Sequence, residues 1–474
     1  MSAPPIRESR RAAALCLAGL LAALGCAVGP DYQEPAIEMP DAWHQDLVRG
    51  LSAGDASLDT WWTVFGDPLL IGLIGRASAG SLELRQAVER IAEAQARRGI
   101  AVGEWFPSID GGALYERFQS SEKLDFSSGG GPNDLYSTGL ATSWEVDLFG
   151  RIRRSVESAD AELAATVEDF RDVRVVLYAE VATSYLDART LQQRILSAER
   201  NVEAQRKTLE LVRVRNQAGL VGDLDLRQAE LNVSRTASFI PALREALVAA
   251  VNRIAVLVGE YPHQLHAELR EPAPIPLPEG EVAVGLPASL LRQRPDLRAT
   301  ERQLAAQSAR IGVATADLYP RFALLGSFSL DASSTSDWLT SGAEAWSVGP
   351  QLRWSLFEGG RIRSNVRAEE ALARQALARY EETVLLAVEE VENSLVGYAE
   401  EGARLEELGL GVRAAEQTVE LVNVLYRTGL VDFLNVLDAE RSLFEEQDRL
   451  LESQGRVAKN LVRVYRALGG GWSP

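Results

Sequence analysis

Apolar positions return every seven residues through two long stretches of this chain. Val181, Ala188, Ile195, Val202 and Leu209 form one column, and Ser184, Leu191, Ala198, Gln205 and Val212 form a second. Val391, Tyr398, Leu405, Val412 and Val419 repeat the first column 210 residues on. No proline interrupts Asn133 to Ile240 or Gln351 to Ser473. A seven-residue period kept over that length predicts long helices supercoiled against neighbours. The small and polar members of the columns point to packing more open than a leucine zipper. Arg151 to Gln217 as one helix would reach about 100 Å. Return helices are expected over Asp223 to Val258, interrupted at Pro241, and over Asp432 to Leu468.

The turns between these helices repeat as well. Gly219 to Glu230 laid on Gly429 to Glu440 without a gap gives Gly219/Gly429, Leu220/Leu430, Val221/Val431, Leu224/Leu434, Ala229/Ala439 and Glu230/Glu440. Each glycine suits the left-handed turn that ends a helix, so each copy reads as the tip of a helical hairpin. The two tips differ where Phe433 and Asp438 stand in place of Asp223 and Gln228. Upstream, a helix over about Ser81 to Glu104 matches one over Ala288 to Asp317 at an offset of 213, through Leu84/Leu297, Arg97/Arg310 and Gly99/Gly312. The chain is therefore expected to be a tandem duplication.

After each of these helices the period changes from seven to two. Phe322, Leu324, Gly326, Phe328 and Leu330 alternate with Arg321, Ala323, Leu325, Ser327 and Ser329, and more cleanly Trp346, Val348, Pro350, Leu352, Trp354 and Leu356 alternate with polar or small residues; Tyr136, Thr138, Leu140, Thr142, Trp144, Val146 and Leu148 alternate similarly. Strands are expected over about 108–118, 136–148, 320–330 and 346–357, with Gly/Ser/Asp-rich loops at 119–134 and 331–345. Their length suits tilted outer-membrane strands with one lipid face and one polar face. A soluble antiparallel sheet with one wet side alternates identically. The domains follow: a signal peptide over 1–25, an arm over 26–80, repeat 1 over 81–260 with its hairpin at 151–258, a semi-rigid proline-rich linker over 261–287, repeat 2 over 288–468 with its hairpin at 361–468, and a tail over 469–474.

The N-terminus adds a location. Arg7, Arg10 and Arg11 precede the apolar run Ala12 to Gly25, too short for a comfortable membrane span and suited to a secretory signal. Ala23-Leu24-Gly25-Cys26 resembles a bacterial lipobox, with Cys26 as the lipidated first residue of the mature chain; a chance cysteine in an uncleaved segment is the other reading. Cys16 would leave with the peptide, so no internal disulfide is expected. Ala27 after Cys26 favours outer-membrane sorting in such lipoproteins. The 474 residues carry a net charge of -18, with 46% apolar residues. That charge offers no basic face for nucleic acid, and suits either a solvated surface or a cation-favouring conduit.

A lipid-exposed sheet must have no open edges, because unpaired backbone groups cost several kcal/mol each in hydrocarbon. Four strands cannot close a pore, so membrane strands here would require several chains to share one barrel, with their long helices forming a second barrel beneath it.

Four motifs together resemble the TolC-type outer-membrane efflux proteins, in the lipoprotein branch with NodT- and OprM-like channels. They are Cys26 to Tyr32, Trp61-Trp62 through Asp67-Pro68, Leu148 to Arg153 with Leu356 to Arg363, and Tyr426 to Leu443. The resemblance implies an α+β membrane protein: a trimer with four transmembrane strands per chain in a 12-stranded barrel, stacked on a periplasmic helical barrel. It also implies docking to a periplasmic membrane-fusion adaptor and an inner-membrane pump of the resistance-nodulation-division type. Carried over by position, Tyr426 lies in the bond network of the tip, Leu434 forms an apolar constriction and Asp438 an acidic ring. Asn435 replaces the second acid of many relatives, and Asp225, aligned with it, is the first-repeat partner. Each has a plainer reading: packing for Tyr426, hairpin core for Leu434, solvated face for Asp438. The adaptor would meet Gly219-Leu220-Val221 and Gly429-Leu430-Val431. Trp144, Trp346 and Trp354 would mark the membrane interfaces.

No catalytic constellation is apparent. His44, His263 and His266 lack a ligand set, so neither metal nor cofactor is expected, and Ser127 to Gly131 reads as a flexible loop. A small-molecule efflux duct is favoured. A type I protein-secretion duct and a lipid-anchored coiled-coil scaffold without a pore are the alternatives.

Overall fold

The computed structural model describes residues 27–45, 47–48, 51–52, 54, 58–119, 132–278 and 282–473. Cys26, the signal segment and most of the first strand loop lie outside these residues. In chain order the elements are β1 (Leu51–Ser52), α1 (Pro68–Gly80), α2 (Leu82–Gly103), β2 (Ser108–Phe118), β3 (Asn133–Val146), α3 (Arg151–Gln217), α4 (Asp223–Val258), α5 (Pro262–Glu268), β4 (Val282–Ala283), α6 (Leu290–Gln293), α7 (Pro295–Ala316), β5 (Arg321–Ala332), β6 (Glu344–Arg353), α8 (Arg361–Arg427) and α9 (Phe433–Ala467).

Two departures from the sequence expectation have local causes. The helix expected from Ala288 to Asp317 is split, because Pro295 excludes the helical region for the residue before it; Arg294 accordingly sits at φ -80, ψ 116 between α6 and α7. Pro241 does not interrupt α4, which runs through it for 36 residues. One lost backbone bond is tolerated where the turns on either side hold the helix.

The chain divides into two compact units, one of residues 27–36, 90–167 and 299–380, the other of residues 37–89, 168–298 and 381–474. The first holds a four-stranded antiparallel sheet in the order β2-β3-β5-β6. An offset of 213 carries β2 onto β5 and one of 210 carries β3 onto β6, since the pair Ser108/Ser143 of one repeat corresponds to Arg321/Arg353 of the other. By the same count Gly150 (φ 81) matches Gly360 (φ 87). The Leu-Phe pairs before them are therefore out of step by two residues: Leu356 stands where repeat 1 has Val146. The apolar residues line one face in cross-strand rows: Leu140, Phe328 and Trp346 form one, and Trp144, Leu324 and Pro350 another. Ser143, Ser327, Ser347, Gln351 and Arg353 lie on the other face.

The second unit is built on the seven-residue columns. Val181, Ala188, Ala198 and Val391 are fully buried, and Ile195 and Val202 nearly so. Between α3 and α9 the seam is polar: Lys459 bonds Asp187, Arg194 makes a two-pronged pair with Asp448, Asn201 donates to Gln447 and Thr208 to Glu440. The Trp61-Trp62 motif pins the arm to these helices. Trp61 stacks on Tyr465 at 5.3 Å, Trp62 meets Tyr178 edge-on at 5.1 Å, and Asp67 caps α1 while accepting from the Tyr185 hydroxyl. Trp472 packs against the guanidinium groups of Arg171 and Arg298, at 4.6 and 5.3 Å, both of which pair with Glu168.

Candidate functional site: the two hairpin tips

Both tips close by the same backbone device. Gly219 (φ 71) and Gly429 (φ 78) take the left-handed conformation. The Leu220 amide bonds the Arg215 carbonyl and the Leu430 amide the Leu425 carbonyl, both at 2.9 Å. These six-to-one bonds satisfy carbonyls that the ending helices leave orphaned. Leu220 and Leu430 are then carried to the outside, 68% and 73% exposed, while Val221 and Val431 pack inward against a small core.

That core joins the two hairpins. Val212 and Ala229 of the first meet Tyr426, Phe433, Val436 and Leu437 of the second, all buried. The Tyr426 and Phe433 rings lie 5.5 Å apart. Arg215 bridges the hairpins twice: its Nη1 donates to the Tyr426 carbonyl at 2.9 Å, and its guanidinium covers the Tyr426 ring at 4.7 Å. Tyr426 thus enters the tip network through its carbonyl and its ring. Its buried hydroxyl has no hydrogen-bond partner among the described residues. Burial pushes that hydroxyl above the ordinary phenol range, Arg215 opposes the shift and half-buried Asp225 adds to it. In the first copy the position of Tyr426 is Asn216, whose amide ties its own loop by donating to the Val221 carbonyl and to Asp223, both at 3.1 Å.

The remaining expected residues separate into exposed and self-bonded. Leu434 is 57% exposed, so it is not part of the hairpin core. Asp438 is exposed too, with Arg441 at 3.8 Å, a long and solvated pair of little energetic weight. Asn435 bonds back to the Asp432 carbonyl, unlike its counterpart Asp225. Phe433 is buried where the first tip has exposed Asp223.

Sequence reasoning missed three participants. Arg215 carried no signal beyond being a cation in a last helical turn, and Asn216 could have been found by asking what stands at Tyr426 in the other copy. Glu440 was masked by its identity with Glu230. Glu230 pairs with Arg227 at the surface, whereas Glu440 is buried and accepts from two neutral donors, Thr208 Oγ1 at 2.6 Å and Asn232 Nδ2 at 3.1 Å. Burial raises its pKa above the ordinary 4.5, against the pull of those two bonds.

In the sheet unit, the Trp144 and Trp354 indoles donate to the carbonyls of Trp105 and Leu318, at 2.9 and 3.1 Å. Both mark the helix end of the sheet. Trp346, 75% exposed, lies toward the loop end of β6. The residues following Cys26 are held at the helix end as well: the Val28 amide bonds the Phe149 carbonyl, and Arg154 bonds the Val28 carbonyl and Asp31. Among the described residues no group of three or more His, Cys, Asp or Glu could hold a metal ion.

The profile of the outer membrane efflux protein family matches residues 73–260 and 286–470. The chain is 32% identical over 455 residues to Nodulation protein T of Rhizobium leguminosarum bv. trifolii, covering 95% of each chain. It is 32% identical over 454 residues to the solvent efflux pump outer membrane protein SrpC of Pseudomonas putida, covering 95% of this chain and 96% of that one. Among solved structures, the outer-membrane channel OprN is similar at a TM-score of 0.87 and 36% identity, over 95% of this chain and all of the other. The chain belongs to the outer membrane efflux protein family.

Proposed function

We propose that the protein is the outer-membrane exit duct of a tripartite efflux pump, passing small molecules outward from a periplasmic adaptor and an inner-membrane pump. The observation that carries this reading is the sheet: one face is apolar, and both edge strands are open. From Trp346 to Trp354 is eight residues, about 26 Å along the chain and roughly 20 Å of membrane depth at the tilt of a barrel strand, which fits within the apolar band of an outer-membrane barrel, about 25 Å tall. Three chains would close a 12-stranded barrel, and their 67-residue helices α3 and α8, each about 100 Å long, would form the periplasmic tunnel. Cys26 immediately precedes in sequence the residues held at the helix end of the sheet, and a lipid on it would anchor each chain to the membrane.

The tips are the periplasmic aperture in this reading. Leu434 and Asp438, exposed on the first turns of α9, face the axis as an apolar and an acidic ring. Tyr426, Asp225 and Asn435 hold the shape behind them. The outward Leu220 and Leu430, set by Gly219 and Gly429 and backed by Val221 and Val431, form the adaptor contact. Proton or ion gradients and nucleotide hydrolysis belong to the partner pump.

Purified protein in a planar bilayer tests the proposal. Cation-favouring single-channel conductance is expected, with Asp438→Asn weakening the cation preference. No conductance from the wild type or from a tip-loosened Arg215→Ala variant would overturn it.

A further inference from the structure

Where the two repeats meet inside the chain, β3 pairs with β5 and Gly139 stands opposite Ser329. The approach is close enough that a Cβ on Gly139 would collide with the Phe328 carbonyl oxygen and come within 2.8 Å of Ser329 Cβ. The position equivalent to Gly139 in repeat 2 is Gly349 of β6, where no atom lies within 4 Å of the same Cβ. The duplicated strand thus keeps a glycine at a place where none of the described residues of its own chain requires one. Applying the two repeat offsets to the β3/β5 junction carries Gly139 onto Gly349 and Ser329 onto Glu116.

In a barrel shared by several copies, the open strand β6 of one chain pairs antiparallel with the open strand β2 of the next; we infer the register of that pairing, which sets Gly349 opposite Glu116 of the second copy. The inference rests on the reading that several copies close one barrel, and specifies how this chain does so. Trp354 then lies opposite Gly111 of the second copy, Leu352 opposite Ala113 and Pro350 opposite Tyr115. Bulky residues meet small ones, and the apolar face continues across the junction. Beyond the strand end Leu356, 78% exposed, comes opposite Ile109, 69% exposed, as Val146 stands opposite Phe322 within the chain. On the polar face Gln351 meets Leu114, and Arg353, which stands opposite Arg321 in its own sheet, comes diagonal to Asp110 of the second copy. Opposite charges on neighbouring strands favour this edge pairing.

Disulfide trapping in outer-membrane fractions tests the register. Residues directly opposite have Cα atoms about 4.5–5.5 Å apart, within disulfide reach, whereas a two-residue shift opens the separation to about 7–8 Å. Gln351→Cys with Leu114→Cys is expected to give reducible chain-to-chain links under mild oxidation, at several times the yield of Gln351→Cys with Gly112→Cys or with Glu116→Cys. Single-cysteine variants serve as controls. Best linking in either shifted pair overturns the register while leaving the shared barrel intact. No linking in any pair, in protein that remains folded in the membrane, overturns both. Gly349→Val is expected to leave each chain stable and to abolish denaturant-resistant oligomers; oligomers unchanged by it would also overturn the register.

Discussion

Replacing Arg215 by alanine removes both links it makes between the hairpin tips. A hydrogen bond from a charged donor contributes about 1.5–3 kcal/mol, and the half-buried position of Arg215 places this one at the low end of that range. The guanidinium over the Tyr426 ring at 4.7 Å adds roughly 0.5–1 kcal/mol. Together they stabilise the observed tip by about 2 kcal/mol. If opening separates α3 from α8 at this point, Arg215→Ala raises the open-to-closed ratio of each tip by roughly 30-fold, at about 1.4 kcal/mol per factor of ten. Arg215→Lys keeps the charge but not the planar fork and should fall between. Tyr426→Phe makes the contrasting prediction. The Tyr426 hydroxyl is buried without a partner among the described residues, so deleting it relieves a desolvation penalty of about 1 kcal/mol and leaves the tip closed. Open probability in planar bilayers, recorded for the three variants and the Arg215→Ala/Tyr426→Phe double, measures all of this. Opening by Tyr426→Phe as large as that by Arg215→Ala would show that the hydroxyl carries the tip bond, and would refute the reasoning.

Gly429→Ala should destabilise the tip by about 1–2 kcal/mol, purely through the left-handed backbone, because no atom lies within 4 Å of the added Cβ; faster amide exchange confined to the tip would report it. Gly455→Ala drives a methyl into Thr190 Oγ1 across the α3–α9 seam and should cost about 1–3 kcal/mol; Thr190→Ala in the same chain should restore most of the loss in thermal melting. The raised pKa of Glu440 means that the folded protein binds this proton more tightly than the unfolded chain does. Its stabilising contribution is complete below 4.5 and is lost as pH rises through the folded value. Glu440→Gln should therefore stabilise the helix pair at neutral pH and flatten the gain that the wild type shows on acidification towards the ordinary carboxylate range; an unchanged pH profile would rule this out.

Much of the fold was legible because periodic burial writes itself into a sequence. A seven-residue column such as Val181, Ala188, Ile195 and Val202 has one physical solution, a long helix with a single buried stripe. Alternation through Phe322 to Leu330 has another, a strand with two unlike faces. Errors came at helix breaks, where two prolines of identical covalent chemistry behave differently. Pro295 opens a helix after an extended residue, while Pro241 rides inside one, because the cost of a missing amide depends on the turns that flank it.

The tips show the same division at finer scale. Gly219, Leu220 and their counterparts were recognisable because a left-handed helix end depends on local backbone geometry alone. Arg215 over Tyr426, the unpartnered Tyr426 hydroxyl and the buried Glu440 are contacts between helices hundreds of residues apart. Composition could not separate Glu440 from Glu230, which it matches in the repeat. The sequence by itself determined the duplication, the helices, the strands and the family. Only the tertiary structure decided which copy of each duplicated residue is buried, which is exposed and which stands at an open edge, because burial is set by neighbours that chain order does not bring together.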